Sequence, residues 1–292
     1  MNPDQPLVYR DMTQAALDAA YDQAVYAPNM AQVLARLATS SRQAREVLGD
    51  PLHFAYGPAG IEGLDVYRAA GAGKPVLIFV HGGTWRLGVA ADNAFAAEHL
   101  VQTGVHLVVP DFSSVDDFNG DLAGLVDQLR RAVQWVYAHA ADFGGDPHNL
   151  YLAGFSSGAH LAGVLLTTDW TALALPADVF KGALLCSGMY DLEPVALSWR
   201  RQYLNLNPDT MPGLSPVTQP QSFTMPTIVA YGTAESPEFQ RQAREFAAVL
   251  QAAGQPVTLV DGEAYNHFEI IETLGSPEGV LGRAIHTLMH PS

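Results

Sequence analysis

Short, almost wholly apolar runs alternate with helical patterns along the chain from residue 75 onward. The apolar runs are VLIFV at 76–80, VHLVVP at 105–110, LYLAG at 150–154, ALLCS at 183–187, TIVAY at 227–231 and VTLV at 257–260. Helical patterns lie near 91–103, 121–142, 157–168, 236–253 and 277–289. Strands that are apolar on both faces are typical of a parallel sheet covered by helices on both sides. The alternation therefore predicts an α/β fold with one doubly wound, mostly parallel sheet.

The chain before residue 75 follows a different pattern. Two helical segments are predicted at roughly 13–24 and 29–48, with Pro28-Asn29 as the break between them. LHFAY at 52–56 and GLDVYR at 63–68 then read as the strands of an antiparallel hairpin. The hairpin brings the predicted sheet to eight strands, and residues 1–50 form an N-terminal helical segment.

The segment 189–222 interrupts the alternation after the strand at 183–187. It contains the prolines Pro194, Pro208, Pro212, Pro216 and Pro220, together with short helical pieces near 195–203. The rest of the chain shows no convincing linker, and 292 residues suit one large α/β domain. We therefore interpret 189–222 as a small cap insertion within a single domain that spans 1–292.

Charge and hydropathy exclude several classes of partner. The net charge of −15 argues against non-specific binding to nucleic acid or to an anionic membrane. The apolar runs are far too short to span a bilayer. The first residues, MNPDQPLVYRDM, lack the basic and apolar regions of a secretory signal, and the single cysteine, Cys186, cannot form an internal disulfide. We expect a cytoplasmic protein with a small-molecule partner, and a homodimer is a candidate assembly.

The most informative motif is Gly154-Phe155-Ser156-Ser157-Gly158. It fits G-x-S-x-G, a sharp turn between a strand and a helix that exposes the oxygen of its central serine. The glycines are needed because a side chain at either place would collide with the neighbouring strand or helix. A serine held in this way can act as a nucleophile when a base lies within hydrogen-bond reach. Ser156 is therefore the predicted nucleophile.

A second motif, His81-Gly82-Gly83-Thr84-Trp85, follows the strand at 76–80. Backbone N–H groups in such a loop can stabilise the oxyanion that develops during acyl transfer, and the residue after the nucleophile supplies another N–H. Gly82, Gly83 and Ser157 are therefore the predicted oxyanion donors. His81 is interpreted as a structural residue of this loop.

The predicted base is His267, which follows the last strand in the sequence DGEAYNHFEI, in a short loop before a helical pattern. In this class of fold the serine, the acid and the histidine come in that order along the chain. His160 and His286 lie inside helical patterns and His290 is in the terminal tail, so these three do not occupy that place.

The predicted acid is Glu235, in the sequence GTAESPEF after the strand at 227–231. A carboxylate there would orient the imidazole and stabilise its charged form. Asp191, after the strand at 183–187, is the alternative. Glu238 is better placed to begin a helix, and Asp261 lies close in sequence to His267.

The segments HGGTW, GFSSGAHLAG, SGMYDLEP, TAESPEFQRQAREF and NHFEI together resemble the arylformamidase (kynurenine formamidase) group of serine α/β-hydrolases. The first two patterns are shared with hormone-sensitive-lipase-like esterases, whereas SGMYDLEP and SPEFQRQAREF are more distinctive. The resemblance covers nearly the whole chain. It implies an α/β-hydrolase fold, with Ser156 as nucleophile, His267 as base and the residue at 235 as acid. The family usually has aspartate before SPEF, where this chain has Glu235.

The expected reaction is hydrolysis of a small aromatic amide, an N-formyl arylamine or a short-chain ester through an acyl-enzyme. We expect no metal and no cofactor, since the sequence contains no H-E-x-x-H, no Cys/His cluster and no nucleotide-binding loop. Trp85, Tyr190 and Phe268 are predicted to line the substrate pocket, with Trp199 or Tyr203 contributed by the insertion. The alternatives are a general carboxylesterase and a non-catalytic binding protein with this fold.

Overall fold

A computed structural model describes residues 6–290 of the chain. Residues 1–5 of the predicted N-terminal segment, and residues 291–292, lie outside the described part. The central sheet has eight strands in the order β8-β7-β6-β5-β3-β4-β2-β1. The strands are β1 (Leu52–Ala55), β2 (Gly63–Tyr67), β3 (Lys74–Val80), β4 (His106–Pro110), β5 (Gly145–Phe155), β6 (Phe180–Cys186), β7 (Thr227–Gly232) and β8 (Val257–Gly262).

The direction of pairing divides the sheet into two parts. β1 pairs antiparallel with β2, and β2 pairs antiparallel with β4. All the other neighbours pair in parallel. The predicted eight-stranded, mostly parallel sheet with an antiparallel hairpin at one edge is confirmed.

Helices cover both faces of the sheet. They are α1 (Gln14–Ala20), α2 (Met30–Leu48), α3 (Ala97–Gln102), α4 (Leu122–His139), α5 (Ser157–Leu166), α6 (Glu193–Leu197), α7 (Pro237–Ala252), α8 (His267–Glu272) and α9 (Val280–Met289). Val76 and Ile78 of β3 pack in the same core as α4, α5 and α7. Leu77 and Phe79, between and after them, pack with α2, α3, α8 and α9. Because successive strand residues point to opposite faces, one apolar strand supplies both cores.

One predicted helix differs from the structure, and one observed hairpin has no counterpart in the prediction. The helical pattern at 91–103 is broken into a short 3-10 turn, Ala90–Asp92, and the helix α3. Asn93 ends that turn and the chain runs to residue 96 before the helix begins, so the pattern overestimates its length. A short hairpin, Leu7–Tyr9 with Met12–Thr13, precedes α1 and was not predicted.

The N-terminal segment and the 189–222 segment lie against each other. Gln14 donates a hydrogen bond to the carbonyl oxygen of Leu197 (2.9 Å), and Arg200 donates one to the carbonyl oxygen of Tyr21 (2.9 Å). The 189–222 segment connects β6 to β7 and consists of α6 and several 3-10 turns. We call these two segments together the cover, because both contribute to the wall of the cavity described below. Within residues 6–290, no helix combines the length and hydropathy that a membrane span requires.

Candidate active site

Ser156 lies at the sharp turn between β5 and α5. Its backbone has φ 55° and ψ −123°, a conformation that is strained for any residue with a side chain. The strand β5 ends at Phe155 and α5 begins at Ser157, so Ser156 alone makes the reversal. A hydrogen bond from the Ser156 N–H to the carbonyl oxygen of Cys186 (2.9 Å) ties the turn to β6. The predicted strand–turn–helix context is present.

The two glycines of the motif are needed for close packing. A Cβ atom at Gly154 would lie 2.5 Å from the carbonyl oxygen of Gly158, inside the van der Waals distance. A Cβ atom at Gly158 would overlap the carbonyl oxygens of Val80 and His81 at the end of β3. Gly154 therefore allows β5 to pack closely against the start of α5, and Gly158 allows α5 to pack closely against the end of β3.

Ser156, His267 and Glu235 form a continuous hydrogen-bonded chain. His267 Nε2 lies 3.0 Å from Ser156 Oγ, and His267 Nδ1 lies 3.0 Å from Glu235 Oε2. The three residues are 6%, 4% and 2% exposed, so the hydrogen bonds are shielded from bulk water. With the proton on Nδ1, the imidazole donates to the carboxylate and Nε2 can accept the serine proton. The geometry is that of a nucleophile, a base and an acid.

Glu235 is held at its second oxygen by two further donors. The Ser187 hydroxyl donates to Oε1 over 2.6 Å, and the Gly232 N–H donates to the same oxygen over 2.7 Å. Asp191, the alternative acid, instead accepts a hydrogen bond from the Glu193 N–H (3.0 Å) near the start of α6. Glu235, not Asp191, is therefore the carboxylate that contacts the imidazole.

Ser187 was not singled out by the sequence. It directly follows β6, at the same sheet edge as the ends of β5 and β7. This position after a strand was the sequence feature that could have identified it as a site residue. Its backbone has φ 56°, and its N–H donates to the carbonyl oxygen of Ala230 (2.8 Å). A non-glycine residue in this region is uncommon, so the local backbone is held by its neighbours.

His267 is the first residue of α8 instead of a loop residue, which corrects the prediction. Asn266 caps the helix by accepting hydrogen bonds from the N–H groups of Phe268 (3.0 Å) and Glu269 (3.1 Å). Phe155, Phe239 and Phe268 surround the imidazole, with ring centroids 4.8, 5.1 and 5.1 Å away. The cap and these rings fix the orientation of the His267 imidazole.

The Gly82-Gly83 loop lies directly against Ser156. A Cβ atom at Gly82 would be 3.1 Å from the Ser156 Cβ atom. Gly83 has φ +128°, and a Cβ atom there would overlap the carbonyl oxygen of Leu87, so both the conformation and the space require glycine. Within residues 6–290, the N–H groups of Gly82 and Gly83 have no backbone acceptor. Ser157 begins α5, so its N–H has no acceptor within the helix.

Two other histidines near the site are buried and neutral. His160 accepts a hydrogen bond at Nδ1 from the Trp85 indole (3.1 Å) and donates from Nε2 to the carbonyl oxygen of Leu214 (2.8 Å). Burial lowers the pKa of His160 from 6.5 to about 4. Burial likewise lowers the pKa of His81, which stacks on Phe112 at 4.4 Å, to about 4. Both support the loop and the cover and neither contacts Ser156 Oγ.

Trp85 and Tyr190 are core residues, and the prediction that they line the pocket is wrong. Trp85 is 1% exposed, and its indole N–H is satisfied by His160. Tyr190 is fully buried, stacks on Phe246 with ring centroids 4.2 Å apart, and donates its hydroxyl proton to the carbonyl oxygen of Leu185 (3.2 Å). An aromatic residue that follows a strand can pack in the core or face a cavity. Its position in the sequence alone does not distinguish these two environments.

A cavity of about 560 Å³ opens above Ser156. Ser156, His267, Phe268, Gly82 and Gly83 line one end of it. We call these residues the floor, together with Glu235 and Ser187, which lie outside the lining and are connected to His267 by hydrogen bonds. The walls of the cavity are mostly apolar and come largely from the cover, including Tyr21, Met30, Leu34, Leu37, Ala38 and Trp199. Phe268 and Trp199 therefore line the cavity as predicted, whereas Tyr203 packs beside the Arg86 guanidinium at 4.9 Å, outside it. In the described part of the chain, no cluster of three or more His, Cys, Asp or Glu side chains could hold a metal ion.

Comparison with known proteins relates most of the chain to named enzymes. It is 32% identical over 279 residues to kynurenine formamidase of Danio rerio, which covers 91% of this chain and 93% of that protein. It is 32% identical to kynurenine formamidase of Salmo salar, covering 82% of this chain and 81% of that protein. Esterase LipQ of Mycobacterium tuberculosis is 31% identical over 68% of this chain and 52% of that protein. The family model BD-FAE matches residues 64–179.

Solved structures show the same fold. A Silicibacter protein provisionally described as a thioesterase superposes with a TM-score of 0.80 at 25% identity, covering 92% of this chain and 98% of that chain. An esterase of Pyrobaculum calidifontis superposes with a TM-score of 0.69 at 18% identity, covering 89% and 93%. The α/β-hydrolase fold and an amide- or ester-hydrolysing activity follow from these relatives. The chain belongs to the kynurenine formamidase family of α/β-hydrolases.

Proposed function

We propose that this protein is a serine hydrolase that removes the formyl group from an N-formyl arylamine. The observation that carries the proposal is the hydrogen-bonded chain from Ser156 through His267 to Glu235, placed at the floor of an apolar cavity. The chain is 32% identical to two kynurenine formamidases, and this relationship supports a formyl amide, over amides or esters of other acyl groups, as the proposed substrate.

The first half-reaction forms a formyl-enzyme. His267 Nε2 takes the proton of Ser156 as Oγ attacks the formyl carbon, and the carbonyl oxygen becomes an oxyanion. The N–H groups of Gly82, Gly83 and Ser157 stabilise that charge. Glu235 stabilises the imidazolium that forms. When the C–N bond breaks, the imidazolium gives its proton to the leaving amine, and the arylamine departs.

The second half-reaction releases formate. His267 removes a proton from a water molecule, and the resulting hydroxide attacks the formyl-enzyme carbon. The same N–H groups stabilise the second oxyanion, and its collapse breaks the bond to Ser156 Oγ. The proton on His267 returns to the serine, which restores the free enzyme.

The cavity suits an aromatic leaving group because its walls present apolar side chains next to the nucleophile. Met30, Leu34, Leu37 and Trp199 would contact the ring, and Phe268 packs beside the base. Burial of an aromatic ring against such side chains contributes binding energy without any polar partner. The acyl group is then oriented towards Ser156.

The experiment compares N-formylkynurenine with p-nitrophenyl acetate at matched enzyme concentration. We expect the formamide to have the higher kcat/KM. Inertness towards the formamide with rapid turnover of the ester would contradict the formamidase proposal and favour a carboxylesterase. The relationship to esterase LipQ is the observation that keeps the carboxylesterase as the second candidate, since an ester would use the same residues.

We further propose a cytoplasmic location and keep the homodimer as a candidate assembly. Cys186 is buried and free, and its thiol pKa is raised by burial, so it is an unreactive core residue. Cell fractionation tests the location, and analytical ultracentrifugation measures the assembly.

A further inference from the structure

Glu235 and His267 each lie next to the residue that caps a helix. Glu235 precedes Ser236, whose hydroxyl oxygen accepts a hydrogen bond from the Phe239 N–H (3.3 Å) at the start of α7. His267 follows Asn266, which caps α8. Both cap residues are buried. Because neighbouring residues share a peptide bond, a shift of either cap residue would move the side chain of the proposed acid or base beside it.

Gln23, in the turn between α1 and α2, holds Ser236 by two hydrogen bonds. It donates from Nε2 to the Ser236 hydroxyl oxygen (2.8 Å) and accepts at Oε1 from the Ser236 N–H (3.2 Å). Nε2 also donates to the carbonyl oxygen of Ala20 at the end of α1 (3.1 Å). Gln23 is 5% exposed, so these hydrogen bonds are shielded from bulk water. The loop that carries Glu235 is therefore attached to the N-terminal part of the chain.

Asn29, at the other end of the same turn, holds Asn266. Its Oδ1 accepts a hydrogen bond from Asn266 Nδ2 (2.8 Å), and its Nδ2 donates to Glu269 Oε1 (2.6 Å). The other carboxylate oxygen of Glu269 accepts from the Asn266 N–H (3.1 Å), so three side chains are linked around the start of α8. Asn29 is also the N-cap residue of α2, yet in the described structure its side chain makes no capping hydrogen bond. Asparagine is a favoured N-cap residue, and here its side chain contacts α8 instead of its own helix.

We propose that Gln23 and Asn29 are positioning residues that fix the acid and the base of the proposed triad. This role rests on the proposed hydrolase function. Within residues 6–290, neither side chain is hydrogen-bonded to Ser156, Glu235 or His267, so each acts through the adjacent cap residue. A misplacement of about 1 Å can lower a rate by about 10²-fold, so contacts one residue away from the triad can affect kcat.

The test uses one variant for each contact. Gln23→Met keeps a side chain of similar length and removes both hydrogen bonds to Ser236. Asn29→Ser is too short to reach Asn266, but serine is a favoured N-cap residue and can cap α2. We expect each variant to lower kcat for p-nitrophenyl acetate about tenfold with little change in KM, an effect of the size of one lost hydrogen bond. The double variant should lose more activity than either single variant.

Gln14→Met is the matched control. Gln14 lies in α1, and the same substitution there removes its hydrogen bond to the carbonyl oxygen of Leu197 (2.9 Å) in the 189–222 segment. The described hydrogen bonds of its side chain join it to residues away from both cap residues: Asp18, Leu197 and Arg201. Its kcat should therefore stay close to that of the wild type.

Two readouts separate positioning from a structural role and from substrate contact. The rate of labelling by a fluorophosphonate probe reports the reactivity of Ser156 and should fall together with kcat, whereas a purely structural role would lower only the melting temperature. Gln23 lines the cavity, so a role in substrate contact would raise KM instead. Asn29 lies outside the described lining, and Asn29→Ser decides the question alone if Gln23→Met does not fold.

Three results would overturn the proposal. They are unchanged kcat and labelling in the folded variants, a rise in KM alone, and an equal loss of kcat in Gln14→Met. Failure of the formamidase proposal looks different, because an enzyme that hydrolyses the ester but not N-formylkynurenine still shows whether Gln23 and Asn29 affect kcat. An enzyme that hydrolyses the formamide with unchanged kcat in both variants contradicts this inference alone, and a wild type that hydrolyses neither substrate contradicts both proposals.

Discussion

The floor and the cover of the cavity are built on different principles. On the floor, each functional group is fixed by hydrogen bonds and close backbone packing: Glu235 accepts from His267, Ser187 and Gly232. In the cover, the lining is mainly one apolar face of α2 with Trp199, and Leu34 on that face is 44% exposed. We therefore expect the chemistry to depend on a few fixed atoms and the choice of substrate to depend on the apolar surfaces of the cover.

The strongest test of the floor replaces the acid. Glu235→Gln should lower kcat by about 10³- to 10⁴-fold, because the amide no longer stabilises the imidazolium and can favour the wrong tautomer. Asp191→Asn should leave kcat essentially unchanged, since the described contacts of the Asp191 carboxylate are with the Glu193 N–H and the Tyr9 hydroxyl and not with His267. Steady-state kinetics on both variants measures the difference. Loss of activity in Asp191→Asn with activity kept in Glu235→Gln would reverse the assignment.

A smaller effect is expected at Ser187, which donates a hydrogen bond to Glu235. Ser187→Ala should lower kcat about tenfold with little change in KM, because one hydrogen bond to a charged group is lost. Ser187→Gly distinguishes the effect of the hydroxyl from the effect of backbone strain. Both variants lack the hydroxyl, but only glycine relieves the strain at φ 56°. Equal loss in both variants supports the hydrogen bond. Recovery of activity in the glycine variant alone would show that only the backbone matters.

Substitutions of the apolar wall residues in the cover should change binding instead of chemistry. Leu34→Ala should raise KM for an aromatic substrate about fivefold and change kcat little, because it removes apolar contact area from the cavity wall. Val47→Ala is the control, since Val47 is 62% exposed on the same helix and lies outside the cavity. A fall in kcat with unchanged KM in Leu34→Ala would erase the distinction between floor and cover.

The contact that His160 of α5 makes with Leu214 of the cover should weaken in acid. The pKa of His160 in the folded protein is about 4, below its ordinary value of 6.5, so the unfolded chain takes up a proton more readily. Neutral His160 thus makes its full contribution to the free energy of unfolding above about pH 6.5. As the pH falls to about 4 the protein loses this contribution, which is on the order of 3 kcal/mol. Protonation would also break the hydrogen bond from the Trp85 N–H, because a protonated His160 Nδ1 can no longer accept it. Urea unfolding of the wild type and of His160→Gln checks this, and equal pH slopes would contradict it.

The floor could be predicted from the sequence because its parts follow the ends of strands. In a parallel sheet the carboxyl ends of neighbouring strands meet at one edge, so Ser156 after β5, Glu235 after β7 and His267 after β8 must come close together. The glycines at 82 and 83 mark the loop after β3 in the same way. Ser187 was missed because a lone serine after a strand carries no pattern of its own.

The cover could not be predicted to the same depth. Met30, Leu34, Leu37 and Ala38 repeat at the spacing of one helix face, which equally predicts a face packed on the core. The sequence predicted Trp85 and Tyr190 in the cavity wall, but the wall contains Met30 and Leu34 instead. The type of a side chain does not reveal whether it faces a cavity or the core.

Reaction with a fluorophosphonate probe, followed by mass spectrometry of the labelled peptides, tests most directly whether Ser156 is the nucleophile. We predict one adduct per chain, located on Ser156 by fragment ions, and no adduct in Ser156→Ala. A wild-type protein that is folded yet takes no label, or an adduct on another serine, would contradict the assignment of Ser156 as the nucleophile.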